Sequence, residues 1–111
     1  MNSKKRTISL LLTGSNQTIY TCPANYEVEV ASIIISNAAG AARTFSLDWY
    51  DSSASATHTI AEAVDLEANS IIQITDGFWL EQGDYFQGLA SAADSVTVTI
   101  RVNETYFPKQ F

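Results

Sequence analysis

The amino-acid sequence predicts an all-β protein, an antiparallel β-sandwich of either the jelly-roll or the immunoglobulin-like kind, built as a single domain. Three observations support this prediction. Apolar and polar residues alternate over several short segments, turn-forming residues separate these segments at intervals of about 8 to 12 residues, and no stretch has convincing helical spacing. A chain of 111 residues is long enough for one modest core and too short for a second.

The longest predicted strand covers residues 26 to 37 and forms the centre of the fold. It alternates at Val28 and Val30, and it then runs through three consecutive isoleucines before Asn37. Because this run offers no polar face to water, we expect neighbouring elements to cover it. Ile34, the middle isoleucine, is predicted to be buried.

The other strands are read from alternation and from the turns between them. Gly83, in a Glu-Gln-Gly-Asp turn, is expected to take a positive φ. Between residues 57 and 68 helix-forming and strand-forming residues mix, and we interpret this part as a short strand around residues 58 to 61 with an irregular link to Leu66. The remaining predicted strands cover residues 7–13, 17–22, 43–51, 70–75, 78–80, 85–90 and 95–103.

One predicted strand shows which of its faces lies in the core. Phe45, Leu47 and Trp49 recur at period two, so all three are expected on the buried face. The second tryptophan, Trp79, is expected in or near the same core.

Charge is distributed unevenly along the chain, whose net charge is -6. Lys4, Lys5 and Arg6 provide three of the six basic residues, whereas all twelve acidic residues lie between positions 27 and 104. An acidic body repels DNA and anionic membranes, so neither is an expected partner. Residues 1–6 are therefore interpreted as a basic N-terminal arm, either solvated or docked on an acidic neighbour.

The C-terminal residues 104–111 form a separate predicted segment after a sandwich domain of residues 7–103. This tail contains Tyr106, Phe107 and Phe111, and Pro108 prevents it from continuing as a central strand. Exposed aromatic side chains are unfavourable on a small protein, so the tail either folds back as an edge strand or packs on another subunit. The predicted partner-binding residues are those of the two ends: Lys4, Lys5, Arg6, Tyr106, Phe107 and Phe111.

The residues that could carry catalysis are few. The single cysteine, Cys22, is predicted to be a small buried side chain, because a reactive thiolate needs a base and the only histidine, His58, lies in a polar stretch. Most acidic residues fall at turns and form no catalytic pair. We therefore expect no enzymatic activity. The lone cysteine and the lack of a signal-peptide core after residues 1–6 favour a reducing compartment.

The sequence offers only weak candidates for a metal site or a sugar site. Asp48 and Asp51 are the nearest approach to a calcium-ligand pair, but the spacing of an EF-hand is missing, and no cofactor is expected. Four aromatic residues offer an alternative, a platform for sugar rings, although in a small sandwich such residues are more often core. They are Tyr50, Trp79, Tyr85 and Phe86.

Four short motifs occur in order between residues 18 and 103. Their residues are Tyr20, Thr21, Pro23 and Ala24, then Ser32, Ile33 and Asn37, then Leu80, Glu81, Gly83 and Asp84, and finally Ala92, Ala93 and Asp94. This order of turns and strands resembles that of small virion proteins of tailed bacteriophages. In that family's pattern Gly commonly follows Pro-Ala, where this chain has Asn25, which also tolerates a left-handed turn.

The resemblance implies a structural protein of the virion, assembled in the host cytoplasm. The leading hypothesis is a capsid decoration or cement protein that bridges capsomers, binds the major capsid protein or another virion protein, and forms a homo-oligomer. One alternative is a tail, fibre or baseplate component. A second alternative, from another class, is a carbohydrate-binding module for host attachment.

Overall fold

The computed structural model describes residues 3–75 and 77–107, and within these ranges it contains nine β-strands and no helix. The predicted all-β class is confirmed. The strands are β1 (Ser3–Leu11), β2 (Gln17–Thr21), β3 (Tyr26–Asn37), β4 (Arg43–Asp51), β5 (Ala56–Leu66), β6 (Ser70–Ile74), β7 (Phe78–Leu80), β8 (Tyr85–Ala90) and β9 (Val96–Tyr106).

The strands form two antiparallel sheets. Sheet I has the order β1-β9-β3-β6, with β7 also paired to β3, and sheet II has the order β2-β8-β4-β5. Because β6 and β7 pair with successive parts of β3, they act as one interrupted strand. Four antiparallel pairs then follow one another from the ends of the chain toward its middle. They are β1 with β9, β2 with β8, β3 with β6/β7, and β4 with β5. This is the arrangement of a jelly roll, which decides between the two predicted kinds of sandwich.

The core lies between the sheets and is made of side chains that alternate inward along each strand. In β3, the longest strand as predicted, Val28, Val30, Ile33 and Ile35 are fully buried. Ile34 is only half-buried, because it points to the outer face of sheet I between its cross-strand neighbours on β6 and β9. The alternation of a strand therefore continues through the isoleucine run.

Trp49 lies on the core-facing side of β4 as predicted but is not fully buried, whereas Trp79 lies away from the core. Trp49 is half-buried at the rim of the core and stacks on His58, with 5.2 Å between ring centroids. Trp79 is 72% exposed, so its predicted core position is wrong. In the three-residue strand β7 the neighbours Phe78 and Leu80 face inward, and period two then directs Trp79 outward.

The segment in which helix-forming and strand-forming residues mix forms most of strand β5, which is irregular near its middle. Phe45 pairs with Val64 and Leu47 with Ala61, so three steps on β5 oppose two on β4. Ala63 lies in this bulge with a φ of 48°, and its amide donates to the Ser46 hydroxyl at 3.0 Å. The predicted short strand lies within β5, and the expected irregular link is in fact a bulged continuation of it.

The first and last strands extend beyond the predicted domain boundaries. Ser3 pairs with Thr105, and the ladder continues to Leu11 opposite Thr97. The predicted arm is therefore part of β1 from Ser3 onward, and β9 includes residues 104–106. The ladder between β1 and β9 accounts for this correction, since backbone pairing extends both strands past the charged and aromatic residues.

Candidate functional site

The pairing of β1 with β9 brings the two predicted binding segments together at one corner of the sandwich. β1 begins where β9 ends, because the two strands are antiparallel. Lys4 and Lys5 are exposed there. Tyr106, the last residue of β9, and Phe107, which follows it, are 38% and 39% exposed. We call these four residues the terminal surface. Phe111, also a predicted binding residue, lies outside the described residues.

Arg6 differs from the two lysines because its guanidinium meets a buried carboxylate. Arg6 Nη1 lies 3.2 Å from Glu104 Oε2, and Glu104 is only 5% exposed. The hydroxyl of Tyr20, on sheet II, donates to the same carboxylate oxygen at 2.5 Å. Burial, followed by the hydrogen bond to Glu104, raises the pKa of the Tyr20 phenol well above its ordinary value. This triad links β1, β9 and β2, so Arg6 is primarily a structural residue.

The aromatic half of the terminal surface is held by its backbone and by one neighbouring ring. The ring of Tyr106 lies 5.3 Å from that of Tyr26, measured between centroids. The amide of Phe107 donates to the carbonyl oxygen of Asn25 at 2.7 Å. Asn25 has a φ of 65°, the left-handed conformation expected from the sequence. The exposed aromatic rings are therefore carried on an ordered backbone, which lowers the entropic cost of binding a partner.

An open depression of about 500 Å³ lies beside the terminal surface on the outer face of sheet I. Lys5, Glu29, Arg101 and Asn103 contribute to its wall. Within the described part of the chain, neither Lys5 nor Arg101 forms an ion pair, and the buried side-chain oxygen of Asn103 has no hydrogen-bond partner. Sequence reasoning missed this site, since three distant segments form it and only their pairing register brings them together.

The polar residues of the turn motifs singled out in the sequence shape loops. The carboxylate of Asp84 accepts hydrogen bonds from the Ser52 amide and hydroxyl and from the Glu81 amide, at 2.8–3.0 Å. Gly83 has a φ of 89° in the same turn, as expected. Asp94 pairs with the Arg43 guanidinium at 2.9 Å, and hydrogen bonding to Arg43 lowers the pKa of that carboxyl to about 2. These motifs account for the fold rather than for chemistry.

Asn37 stabilises a second loop region through hydrogen bonds of its side chain. Its buried amide nitrogen donates to the carbonyl oxygens of Ala41 and Glu67, at 3.0 and 3.1 Å. Its side-chain oxygen accepts from the Ala39 amide and from the Ser95 hydroxyl. One side chain therefore links the end of β3 to the loops around it.

The candidate catalytic residues are poorly placed for reaction. Cys22 is buried, its thiol donates to the carbonyl oxygen of Tyr26, and burial followed by the charge of Asp84 raises the pKa of the thiol to about 11. His58 stacks on Trp49. In residues 3–75 and 77–107, no three His, Cys, Asp or Glu side chains are grouped to hold a metal ion, and no helix could cross a membrane.

The four aromatic residues considered for a sugar platform do not share a face. Tyr50 and Tyr85 stack on the outer face of sheet II, with ring centroids 4.7 Å apart. Phe86 is fully buried, and Trp79 lies on sheet I. The predicted platform is therefore reduced to the two tyrosines.

Comparison with known proteins shows similarity in fold alone. No protein-family model matches the sequence, and no curated protein matches it. A subunit of the Bacillus endospore appendages, described as disulfide-linked pili, aligns with a TM-score of 0.57 at 15% identity over 97% of this chain and 88% of its own. The virus-like particle of the extra small virus of the prawn Macrobrachium rosenbergii gives a TM-score of 0.53 at 13% identity, over 98% and 80% of the two chains. A protein of infectious bursal disease virus, Gx strain, gives 0.50 at 10% identity, over 94% of this chain and 37% of the other.

Proposed function

We propose that this chain is a non-enzymatic structural subunit of a virion, and specifically a capsid decoration or cement protein of a tailed bacteriophage. The observation that carries the proposal is the terminal surface, where two lysines and two exposed aromatic rings project from paired, ordered strands. Aromatic residues at the centre of a contact with charges at its rim are typical of protein interfaces. Among the described residues the candidate catalytic groups are not brought together, which fits this role.

The fold similarities support assembly into a larger particle. The similar structures come from a virus-like particle, a virus and a pilus, all of which are built from repeated copies. The phage assignment is narrower and depends on the motif resemblance. The proposed partner is the major capsid protein or another virion protein, and the proposed location is the virion.

The proposed mechanism is multivalent stabilisation of the capsid. Each aromatic side chain of the terminal surface can bury roughly 150–250 Å² when it is enclosed, so two of them can anchor a modest contact. A weak contact repeated on every capsomer joint adds up to a large resistance against expansion of the shell. The lysines add salt-dependent attraction to an acidic capsid surface.

Copy number in purified particles tests this function. Quantitative mass spectrometry of virions, with the major capsid protein as the internal standard, is expected to give hundreds of copies per particle. A handful of copies would indicate a tail, fibre or baseplate component, and absence from the particle would reject the virion role.

Binding to particles stripped of the protein tests the terminal surface itself. Lys4→Gln combined with Lys5→Gln is expected to weaken binding, and the loss should be greatest at low salt. The matched control is Thr57→Glu with Thr59→Glu, which makes the same change of net charge at exposed positions of β5. Equal loss in both variants would mean that net charge alone, and not the terminal surface, governs binding.

A second candidate function, glycan binding, is favoured by one observation. Tyr50 and Tyr85 present stacked rings on the outer face of sheet II, next to the pair Asp48 and Gln87. Aromatic rings flanked by polar groups suit a sugar ring. A glycan array separates this role from assembly, since binding that is lost in Tyr85→Ala and retained in the Lys4 and Lys5 variant would support it.

A further inference from the structure

Within residues 3–75 and 77–107, sheet I has two free edges, and three of the exposed large apolar side chains lie at them. Among these residues β1 pairs only with β9 at one edge, and β6 and β7 pair only with β3 at the other. Leu11 lies on the β1 edge and is 47% exposed, whereas Ile71 and Trp79 lie on the β6/β7 edge and are 64% and 72% exposed. An unpaired edge with apolar neighbours is a surface that favours strand addition.

The pairing registers place these residues at the ends of the same cross-strand rows on the outer face. One row starts at Leu11 and ends at Ile71, a second starts at Ser9 and ends at Gln73, and a third starts at Lys5 and ends at Trp79. In full, the rows are Leu11-Thr97-Ser36-Ile71, Ser9-Thr99-Ile34-Gln73 and Lys5-Asn103-Glu29-Trp79. Between the last two rows the free edge is interrupted, where β6 ends and β7 begins.

The strand directions allow the two edges to meet between copies. Successive antiparallel pairings make β1 parallel to β3 and antiparallel to β6 and β7. A second copy displaced sideways along the sheet, without inversion, therefore presents its β1 antiparallel to the first copy's β6/β7 edge. Backbone donors and acceptors that are unpaired in one copy can then pair in the ladder between copies.

We infer that copies of this chain join side by side and head to tail, with the β1 edge of one against the β6/β7 edge of the next, so that sheet I becomes continuous. This inference rests on the proposed structural function and deepens it. The partner at this surface is a second copy of the chain.

The side chains that meet in this arrangement are complementary in the first and third rows. Leu11 comes beside Ile71, which removes two exposed apolar groups from water. Lys5 comes beside Trp79, whose indole face attracts a cation. Since Lys5 has no acidic partner within the described ranges, this contact breaks no existing ion pair.

The charges of the two flanks support the same arrangement. β1 and β2 lie on one flank and contain three basic residues and no acidic residue, whereas β5 and β6 lie on the other and contain Glu62 and Asp65 but no Lys or Arg. A head-to-tail contact places unlike charges together, whereas a contact between two β1 edges would bring two basic flanks together. A contact of this heterologous kind generates rings or filaments.

Cysteine cross-linking tests the inference. In the double variant Leu11→Cys with Ile71→Cys, directly opposed positions on paired strands are close enough for a disulfide. The native Cys22 remains silent because it is buried. Mild oxidation of the dilute protein, followed by denaturing electrophoresis without reductant, is expected to give a ladder of dimers, trimers and higher multiples.

Three controls define the outcome. Each single cysteine variant is expected to give a dimer at most, since one added thiol cannot continue a chain. The double variant Leu11→Cys with Thr59→Cys carries its second thiol at an exposed position on sheet II, and it is expected to give no ladder. Circular dichroism confirms that each variant is folded. A ladder in both double variants, or no species beyond a dimer in the Leu11 and Ile71 variant, would overturn the inference.

The cross-linking experiment and the copy-number experiment test different claims. A chain that is abundant in virions but forms no ladder retains the proposed function and loses the head-to-tail contact. A chain that forms the ladder but is missing from virions retains the contact and loses the capsid role.

Discussion

The buried carboxylate of Glu104 is expected to contribute strongly to stability through its contact with Tyr20. The Tyr20 hydroxyl donates to Glu104 across the two sheets, and Arg6 approaches the same carboxylate from the edge strand. Hydrogen bonds to charged groups contribute about 1.5–3 kcal/mol. The pair with Arg6 adds roughly 0–1 kcal/mol, because the Arg6 side chain is 45% exposed and water screens it.

A double-mutant cycle isolates the Tyr20–Glu104 term. Tyr20→Phe leaves a buried carboxylate without its hydroxyl partner, and we expect it to lower the free energy of unfolding by about 1.5–3 kcal/mol. Glu104→Gln keeps the size of the side chain but removes its charge, and we expect a loss of about 1–3 kcal/mol. Since the residues are in direct contact, the double variant should lose less than the sum of the two, with a coupling energy of at least about 1 kcal/mol.

Urea denaturation followed by tryptophan fluorescence measures all four proteins. Thr99→Ala, a half-buried residue on the outer face of β9, is the matched control, and its effect should add to that of Tyr20→Phe. Additive losses for Tyr20→Phe and Glu104→Gln, within about 0.3 kcal/mol, would refute the reasoning, because they would show that the charge of Glu104 does not strengthen its hydrogen bond with Tyr20.

Further predictions follow from the edges, the core and the thiol. Removing residues 1–6 is expected to lower the melting temperature, because β1 pairs with β9 from Ser3 onward; an unchanged melting curve would support a detached arm. Removing residues 105–111 should leave a folded domain that is monomeric by light scattering or fails to bind particles, and a truncated protein that retains both properties would contradict the role of the tail. Trp49→Ala should cost about 3 kcal/mol in urea denaturation, the lower end for such changes, because the indole is half-buried; in a Trp79→Phe background, free quenching of Trp49 by acrylamide would argue against its position. Folding raises the pKa of the Cys22 thiol from 9.0 to about 11, so the contribution of the neutral thiol to stability is complete below pH 9 and is lost as the pH rises through about 11. The melting temperature of Cys22→Ala should therefore fall less than that of wild type as the pH is raised over this range. Equal falls in the two proteins would contradict this.

Local pattern was sufficient to predict most of the strands and several backbone details. Period-two alternation located Phe45 and Leu47 in the core, because inward positions of a half-buried strand favour large apolar side chains. Asn25 and Gly83 take the left-handed conformations expected of turn residues. The burial of Cys22 also followed from its type and neighbours.

Period-two reasoning failed where both faces of a strand carry apolar residues. In Phe78-Trp79-Leu80 each side chain is large and apolar, and composition alone does not say which face turns inward. The same ambiguity made Ile34 look like core. The register with β3 determines the outcome, since Trp79 lies beside Glu29 on the outer face. Such long-range pairing leaves no local signal.

The sequence did not predict the full extent of β1 and β9, for a related reason. The lysine-rich start of β1 has the composition of a solvated tail, yet Arg6 meets Glu104, which is 98 residues away in sequence. The terminal surface and the depression beside it exist only once that pairing forms, so the sequence could supply their residues but not their geometry.

The fold leaves two exposed apolar residues unexplained: Trp79, which sequence reasoning placed wrongly, and Ile71. A stable core needs Phe78 and Leu80 to face inward, but it gains nothing from the indole of Trp79 or from Ile71 at the free edge of sheet I. Lysines at an edge strand ordinarily discourage pairing, and Lys4 and Lys5 on β1 would suffice to protect a monomer. The opposite edge has no such protection, since β6 and β7 contain no charged residue and carry two of the most exposed apolar side chains in the described chain. This asymmetry favours a head-to-tail contact, because the basic β1 edge repels a second β1 edge, whereas the uncharged β6/β7 edge offers it Trp79 beside Lys5 and Ile71 beside Leu11.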